Sequence, residues 1–224
     1  MKPGDEAILS KPLIILDDNN SSVISNLSNT DVSGQSTGSN PYTQLILDFK
    51  GKNLPSEQIE ADYNNTLNYP NNYFVAPERW RECFYTTSRN NMLLLSEGFE
   101  NIVRIKPPFN RYIMLSLFQM VRNFNMVKEQ YIAIAPLTKK LYLIGPTGLA
   151  TGIRLPNTEI IDSTGSGLEK NWLIIVLSQD EGCALVAEEF ETGRYRGLFT
   201  TNLNLANRCL EVLKGLISTQ KIDI

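Results

Sequence analysis

The last third of the chain carries the clearest hydrophobic pattern. Trp172-Leu173-Ile174-Ile175-Val176-Leu177 is continuously apolar, which predicts a central strand buried on both faces. Ser178 to Gly182 is a turn, and Cys183 to Phe190 predicts a second strand. Glu191-Thr192-Gly193 is a tight hairpin connection, and 194–200 a third strand. The three make an antiparallel meander. Asn202 is placed to cap a helix over 203–219, where Ala206, Cys209, Leu210, Leu213, Leu216 and Ile217 fall on one apolar stripe. That stripe is expected to close the core over the central strand.

The pattern is less decisive upstream. Pro77 suits the first turn of a helix running to about Gly98. Pro107-Pro108 punctuates the chain, and Asn110 can cap a helix over 111–127 that is apolar over most of its circumference. Residues 130–136 read as a buried strand and 141–144 as a short one. Gly145, Gly148 and Gly152 are spaced like a phosphate loop, but no Lys-Ser/Thr follows and Pro146 sits inside, so they read as turns. Residues 42–49 predict a strand, 56–63 a turn or two of helix, and Leu13 to Leu16 a short strand. Residues 17–41 are rich in Gly, Ser and Asn and predict a mobile segment. The expected class is α+β: a mixed sheet with a C-terminal antiparallel meander, packed by helices. The expected organisation is an irregular extension over 1–75, one domain over 76–219 and a tail over 220–224.

Composition removes several chemistries. The 224 residues include no histidine, which excludes His-ligated metals and His-based triads. Three dispersed cysteines, Cys83, Cys183 and Cys209, fit neither a disulfide framework nor a four-thiolate zinc site. No metal or other cofactor is expected. The net charge of −3 argues against a nucleic-acid-coating protein. No apolar run is long enough to span a membrane, and no secretory leader is visible. The expected location is the cytoplasm, or the periphery of a membrane complex. Charge is unevenly spread: residues 76–155 are basic between two acidic segments, with the cations scattered rather than in a block.

Glu188 and Glu189 are adjacent on a strand, so they point to opposite faces and cannot share a proton. Asp180-Glu181 lies in a turn, where acids are solvated. Cys183 and Cys209 are flanked by apolar residues. Cys83 lies among Arg79, Arg81 and Arg89, which favour a thiolate, yet it has no histidine base. Arg194 and Arg196 alternate with Tyr195 and share one face of the third strand, offering two cations to an acidic partner. Trp172, Tyr195 and Phe199 are candidates to line a pocket for an unknown small molecule.

One resemblance rests on Tyr131 to Pro136, Asn171-Trp172 before the central strand, Gly193-Arg194-Tyr195-Arg196-Gly197 and Thr200-Thr201-Asn202 at the helix cap. Across about 80–219 the chain resembles the DICT domain, a sensory module of bacterial, especially cyanobacterial, signalling proteins. There it accompanies diguanylate cyclases and two-component proteins. Arg196 stands where the family tends to have an acid, and Asn202 where it has an aspartate. The resemblance implies a free-standing, non-catalytic sensory or protein-interaction module and carries over no catalytic residue. The competing expectation is an assembly subunit whose irregular N-terminal loops order on a larger complex.

Overall fold

Strand-forming residues between two turns place the centre of the fold at Asn171–Leu177, Gly182–Glu191 and Arg194–Thr200. A computed structural model describes residues 41–66, 74–105, 109–149, 154–217 and 222. The expected strand at 13–16 lies outside the described residues, as does the expected mobile segment at 17–41 except for Pro41, the first residue of a helix. Residues 38–224 form one compact unit.

The described strands are β1 (Lys52–Asn53), β2 (Cys83–Ser88), β3 (Ile113–Leu117), β4 (Lys140–Gly145), β5 (Thr158–Asp162), β6 (Asn171–Leu177), β7 (Gly182–Glu191) and β8 (Arg194–Thr200). The helices are α1 (Pro41–Asp48), α2 (Ser56–Thr66), α3 (Arg89–Glu100), α4 (Ile102–Ile105), α5 (Val121–Ile134) and α6 (Leu203–Leu216). The strands form one eight-stranded sheet in the order β1-β2-β8-β7-β6-β3-β4-β5. Pairs β1/β2, β3/β4 and β4/β5 are parallel, while β2/β8, β8/β7, β7/β6 and β6/β3 are antiparallel. The fold is therefore α+β with a mixed sheet and a C-terminal antiparallel meander.

Alternation along the strands divides the core in two. Ile174 and Val176 of β6 face Met92, Leu95 and Phe99 of α3 and Phe124, Tyr131 and Ile134 of α5. Leu173, Ile175 and Leu177 face Tyr42, Leu45 and Ile46 of α1 and Ala206, Cys209, Leu210 and Leu213 of α6. The continuous apolar run in β6 is thus covered by a helical layer on each side. Asn202 starts α6 as expected: its Oδ1 accepts from the amides of Asn204 (3.0 Å) and Leu205 (3.2 Å).

Gly197 in β8 permits the tightest approach in the sheet. A Cβ there would collide with the Val186 carbonyl oxygen and lie 2.6 Å from the Tyr85 hydroxyl. That hydroxyl donates to the same carbonyl at 3.3 Å, so the absent side chain makes room for a buried polar tie. Gly193 turns the β7–β8 hairpin with φ +72°, a conformation costly for a side chain.

Five expectations are corrected. Residues 42–49 form helix α1, not a strand: Tyr42, Leu45 and Ile46 are buried and Phe49 half-buried, the i, i+3, i+4, i+7 stripe of a helix. The helix expected over 77–98 is a 3₁₀ turn (Glu78–Trp80), then strand β2, then α3. β2 alternates, with Cys83, Tyr85 and Thr87 inward, and the Ser88 hydroxyl caps α3 by accepting from the Asn91 amide. The helix expected at 111–127 is strand β3 followed by α5, and the strand expected at 130–136 is the end of α5 and a 3₁₀ turn (Ala135–Leu137). An apolar run buried on every side suits a core helix or a strand covered on both faces equally well. Asn110 is accordingly a turn residue with φ 66°, not a cap.

The α6 stripe gives a direct prediction. Leu213 is fully buried, whereas Lys214 pairs with Glu211 at 3.2 Å on the outer surface. Leu213→Ala should cost about 2–5 kcal/mol through lost burial and a cavity. Lys214→Ala should stay within about 0.5 kcal/mol. Urea melts of the two variants measure both, and an unchanged midpoint for Leu213→Ala would show that α6 does not seal this core.

Candidate functional site

The four residues singled out for binding separate onto two faces of the sheet. Tyr195 points into the α3/α5 layer and is buried. Its ring meets Trp172 edge-on, with centroids 5.7 Å apart and planes at 89°. Its hydroxyl reaches Gln119 Oε1 at 3.5 Å, the limit of a hydrogen bond. Nearby, Arg89 Nη2 donates to Asn123 Oδ1 at 2.8 Å, tying the first turns of α3 and α5 together. Phe199 is also buried, edge-on to Phe99 at 5.2 Å. Trp172 and Tyr195 thus act as packing across the end of the sheet, and Trp172 keeps a half-buried face.

Arg194 and Arg196 lie on the other face. Both guanidinium groups sit over the Phe190 ring of β7, with Cζ 5.3 Å and 5.5 Å from its centroid. Arg194 also pairs with Glu191 at 2.8 Å, both side chains being more than half exposed. Arg196 pairs with the nearly buried Glu188, which also accepts from the Thr43 hydroxyl of α1. Glu188 thus fastens α1 to the sheet through one carboxylate. Glu189, on the opposite face, accepts from the Gly193 amide at 2.7 Å and secures the hairpin.

The remaining acids and thiols hold structure together. Glu181 is not simply solvated: its Oε2 accepts from Arg111 Nη2 and from the Tyr112 hydroxyl, each at 3.0 Å. Asp62 of α2 accepts from Gln58, from Trp80 Nε1 at 2.6 Å and from Arg79, whose Nε lies at 2.8 Å. Burial alone would raise the Asp62 carboxyl, but these hydrogen bonds outweigh it and hold the carboxyl below its ordinary value. The three cysteines are buried thiols outside any disulfide. Burial raises the Cys83 thiol, against a smaller pull from Lys52. This corrects the expectation of an arginine-lowered thiol, because its Sγ faces the Arg79 and Arg81 carbonyl oxygens at 3.4 and 3.6 Å rather than their guanidinium groups. Burial pushes the Cys209 thiol up to about 12. Among the described residues, no group of three Cys, Asp or Glu is arranged to hold a metal ion, and no helix is long and apolar enough to cross a membrane.

One polar cluster escaped the sequence. Glu100, at the end of α3, is buried and accepts from the Tyr131 hydroxyl and Gln130 Nε2 of α5. Glu97, one turn earlier, bonds Tyr63 of α2, and Arg104 of α4 lies in the field of both acids. Burial pushes the Glu100 carboxyl up to about 7; the Tyr131 hydrogen bond opposes it, Glu97 adds to it, and Arg104 and Gln130 oppose it. Burial raises Glu97 as well, against its bond with Tyr63 and the charge of Arg104. The available signal was Glu97, Glu100 and Arg104 at spacings of three and four, which aligns them on one helical face.

No family model matches the chain, and neither a curated protein sequence nor a solved structure matches it.

The raised Glu100 carboxyl fixes a sign for pH dependence. An acid that titrates higher in the folded state binds its proton more tightly there. Its contribution is complete below its ordinary 4.5 and is lost as pH rises through about 7. The loss amounts to roughly 3 kcal/mol between these limits. Glu97 shifts in the same direction. Asp62 runs the other way, but only below its ordinary 3.8. The protein should therefore be less stable to urea at pH 8 than at pH 5, and Glu100→Gln should shrink that difference. An undiminished difference in Glu100→Gln would remove Glu100 as its source.

Proposed function

We propose that this chain is a non-catalytic recognition module that docks an acidic protein partner through the face bearing Arg194, Arg196 and Phe190. The observation that carries the reading is the pair of guanidinium groups over one aromatic ring. Phe190 limits the freedom of both arginines, so less entropy is lost when a carboxylate binds them. Arginine and aromatic residues are also the side chains most enriched at interface hot spots.

The two arginines have different parts. Arg196 is engaged by Glu188, whose side chain is 10% exposed. Arg194 is held by Glu191 in an exposed pair, a type of contact worth about 0–1 kcal/mol. A partner carboxylate can take over Arg194 at little cost while Arg196 stays in place beside it. The resemblance to the DICT domain supports the same class of role, a sensory or interaction module in bacterial signal transduction. A cytoplasmic place follows from that reading. An assembly subunit of a larger complex would use the same surface but hold its partner permanently.

Affinity capture with the full chain, read by mass spectrometry, tests the proposal. A partner should be retained at low salt and released as salt rises. Arg194→Glu should weaken it at least tenfold, about 1.4 kcal/mol, with an unchanged urea midpoint. A partner held equally by Arg194→Glu would place the interface elsewhere. A complex that resists high salt and dilution would favour the assembly subunit.

A further inference from the structure

A separate recess opens at the opposite end of the strands from Arg194. It measures about 300 Å³ and is lined by Arg111, Ile113, Lys139, Leu177, Ser178 and Gln179. These residues come from the approach to β3, its first residue, the approach to β4, the end of β6 and the turn into β7. Ile113 and Leu177 are direct cross-strand partners in the antiparallel β3/β6 pair, so their side chains lie side by side on one face of the sheet. Both are nearly buried, 6% and 2% exposed, and close the bottom of the recess.

The lip is polar and carries two cations. Arg111 is positioned by its neighbours: its guanidinium lies over the Tyr112 ring, 4.6 Å from the centroid, and Nη2 donates to the Tyr112 hydroxyl and Glu181. Its Nε–H is buried and has no hydrogen-bond partner. Leaving such a donor unmatched is unfavourable. Lys139 is exposed, with no ion-pair partner among the described residues. Its backbone amide donates to the Tyr112 carbonyl at 2.8 Å, which fixes its Cα at the rim. Among the described residues no carboxylate lines the recess, and Glu181 engages Arg111 from beside it.

We propose that this recess binds a small organic anion, with a carboxylate or phosphate head between Arg111 and Lys139 and a compact apolar body over Ile113 and Leu177. The volume stands at the small end of the range for ligand pockets, about 300–1,000 Å³, and limits the ligand to the size of a simple metabolite. An arginine held by its neighbours suits a planar oxyanion, and a flexible lysine supplies a point charge that adjusts to it. The site is independent of the Arg194 surface, so either stands if the other fails.

Amide chemical shifts of the full ¹⁵N-labelled chain, titrated with three probes, test this. Benzoate and phenyl phosphate carry the two head groups on the same body, and benzyl alcohol carries the body alone. One or both anions should saturate, with shifts centred on residues 111–113, 139 and 177–179, and the stronger anion identifies the head group. Benzyl alcohol should bind at least tenfold more weakly. Arg111→Gln should weaken the anion at least tenfold. Lys139→Gln should weaken it severalfold; this exposed side chain makes no ion pair among the described residues, so the variant tests the site without disturbing the fold. Failure of both anions to shift these amides overturns the proposal. So does binding of benzyl alcohol as tight as that of the anions, or an unchanged affinity in Lys139→Gln.

Discussion

Strand β6 is buried on both faces, and that constraint organises the rest of the molecule. Its residues alternate between two cores, Ile174 and Val176 into one and Leu173, Ile175 and Leu177 into the other. A strand with apolar side chains above and below needs a helical layer on each side. The connections supply them from different parts of the chain. α6 follows the meander directly and covers one face together with α1, while α3 and α5, each following a strand of the sheet, cover the other. Residues 41–66, which look peripheral in sequence, are therefore part of the fold: Tyr42 is buried under α6 and donates to the Cys209 carbonyl at 2.6 Å, and β1 extends the sheet beside β2.

The apolar layers leave polar seams, and most of the buried or half-buried acids sit in them. Asp62 ties α2 to the Arg79–Trp80 turn, and Glu188 ties α1 to β8. Glu82, in a left-handed conformation at the start of β2, accepts from the Thr200 hydroxyl and the Thr201 amide at the end of β8. Each carboxylate satisfies donors that would otherwise be left unmatched where a helix or strand ends. Pairs that resemble acid–base chemistry in sequence are thus separated by the folding that uses them: Glu188 and Glu189 serve different faces.

Legibility in the sequence followed the kind of burial. The meander and α6 were readable because turn residues at Gly182 and Gly193, a capping Asn202 and a one-sided helical stripe all agree. The region from Pro77 to Pro136 was not, because its apolar residues face neighbours in every direction and lose the periodicity that separates helix from strand. Residues 83–88 fall within the helix expected over 77–98 until the alternation of Cys83, Tyr85 and Thr87 is seen against β8. Of the candidate binding residues, the shared face of Arg194 and Arg196 was legible from strand alternation. Phe190 beneath them was not, since that depends on the register of β7 against β8, which shifts between Glu189 and Glu191. The recess at Arg111 was invisible for a similar reason: Arg111, Lys139 and Ser178 are far apart in the chain and meet only because β3, β4 and β6 are neighbours.

The two helical layers are fastened by different physics. On one side, α6 presents Ala206, Cys209, Leu210 and Leu213, and its main attachment is apolar. Such burial is insensitive to pH. On the other side, Phe99 of α3 and Phe124 and Ile134 of α5 belong to one apolar core, but the junction of the two helices also encloses Glu100, Tyr131 and Gln130. A buried acid in that place is most favourable when neutral, because its charge has few ways to recover the solvation it lost. What the acid contributes is direction. Glu100 and Tyr131 can meet in only a narrow range of helix positions, whereas aliphatic side chains slide past one another at small cost. The α3/α5 layer, which also carries Arg89 and Asn123 at its other end, is therefore fixed in register by polar contacts at both ends, while the α6 layer is fixed by shape.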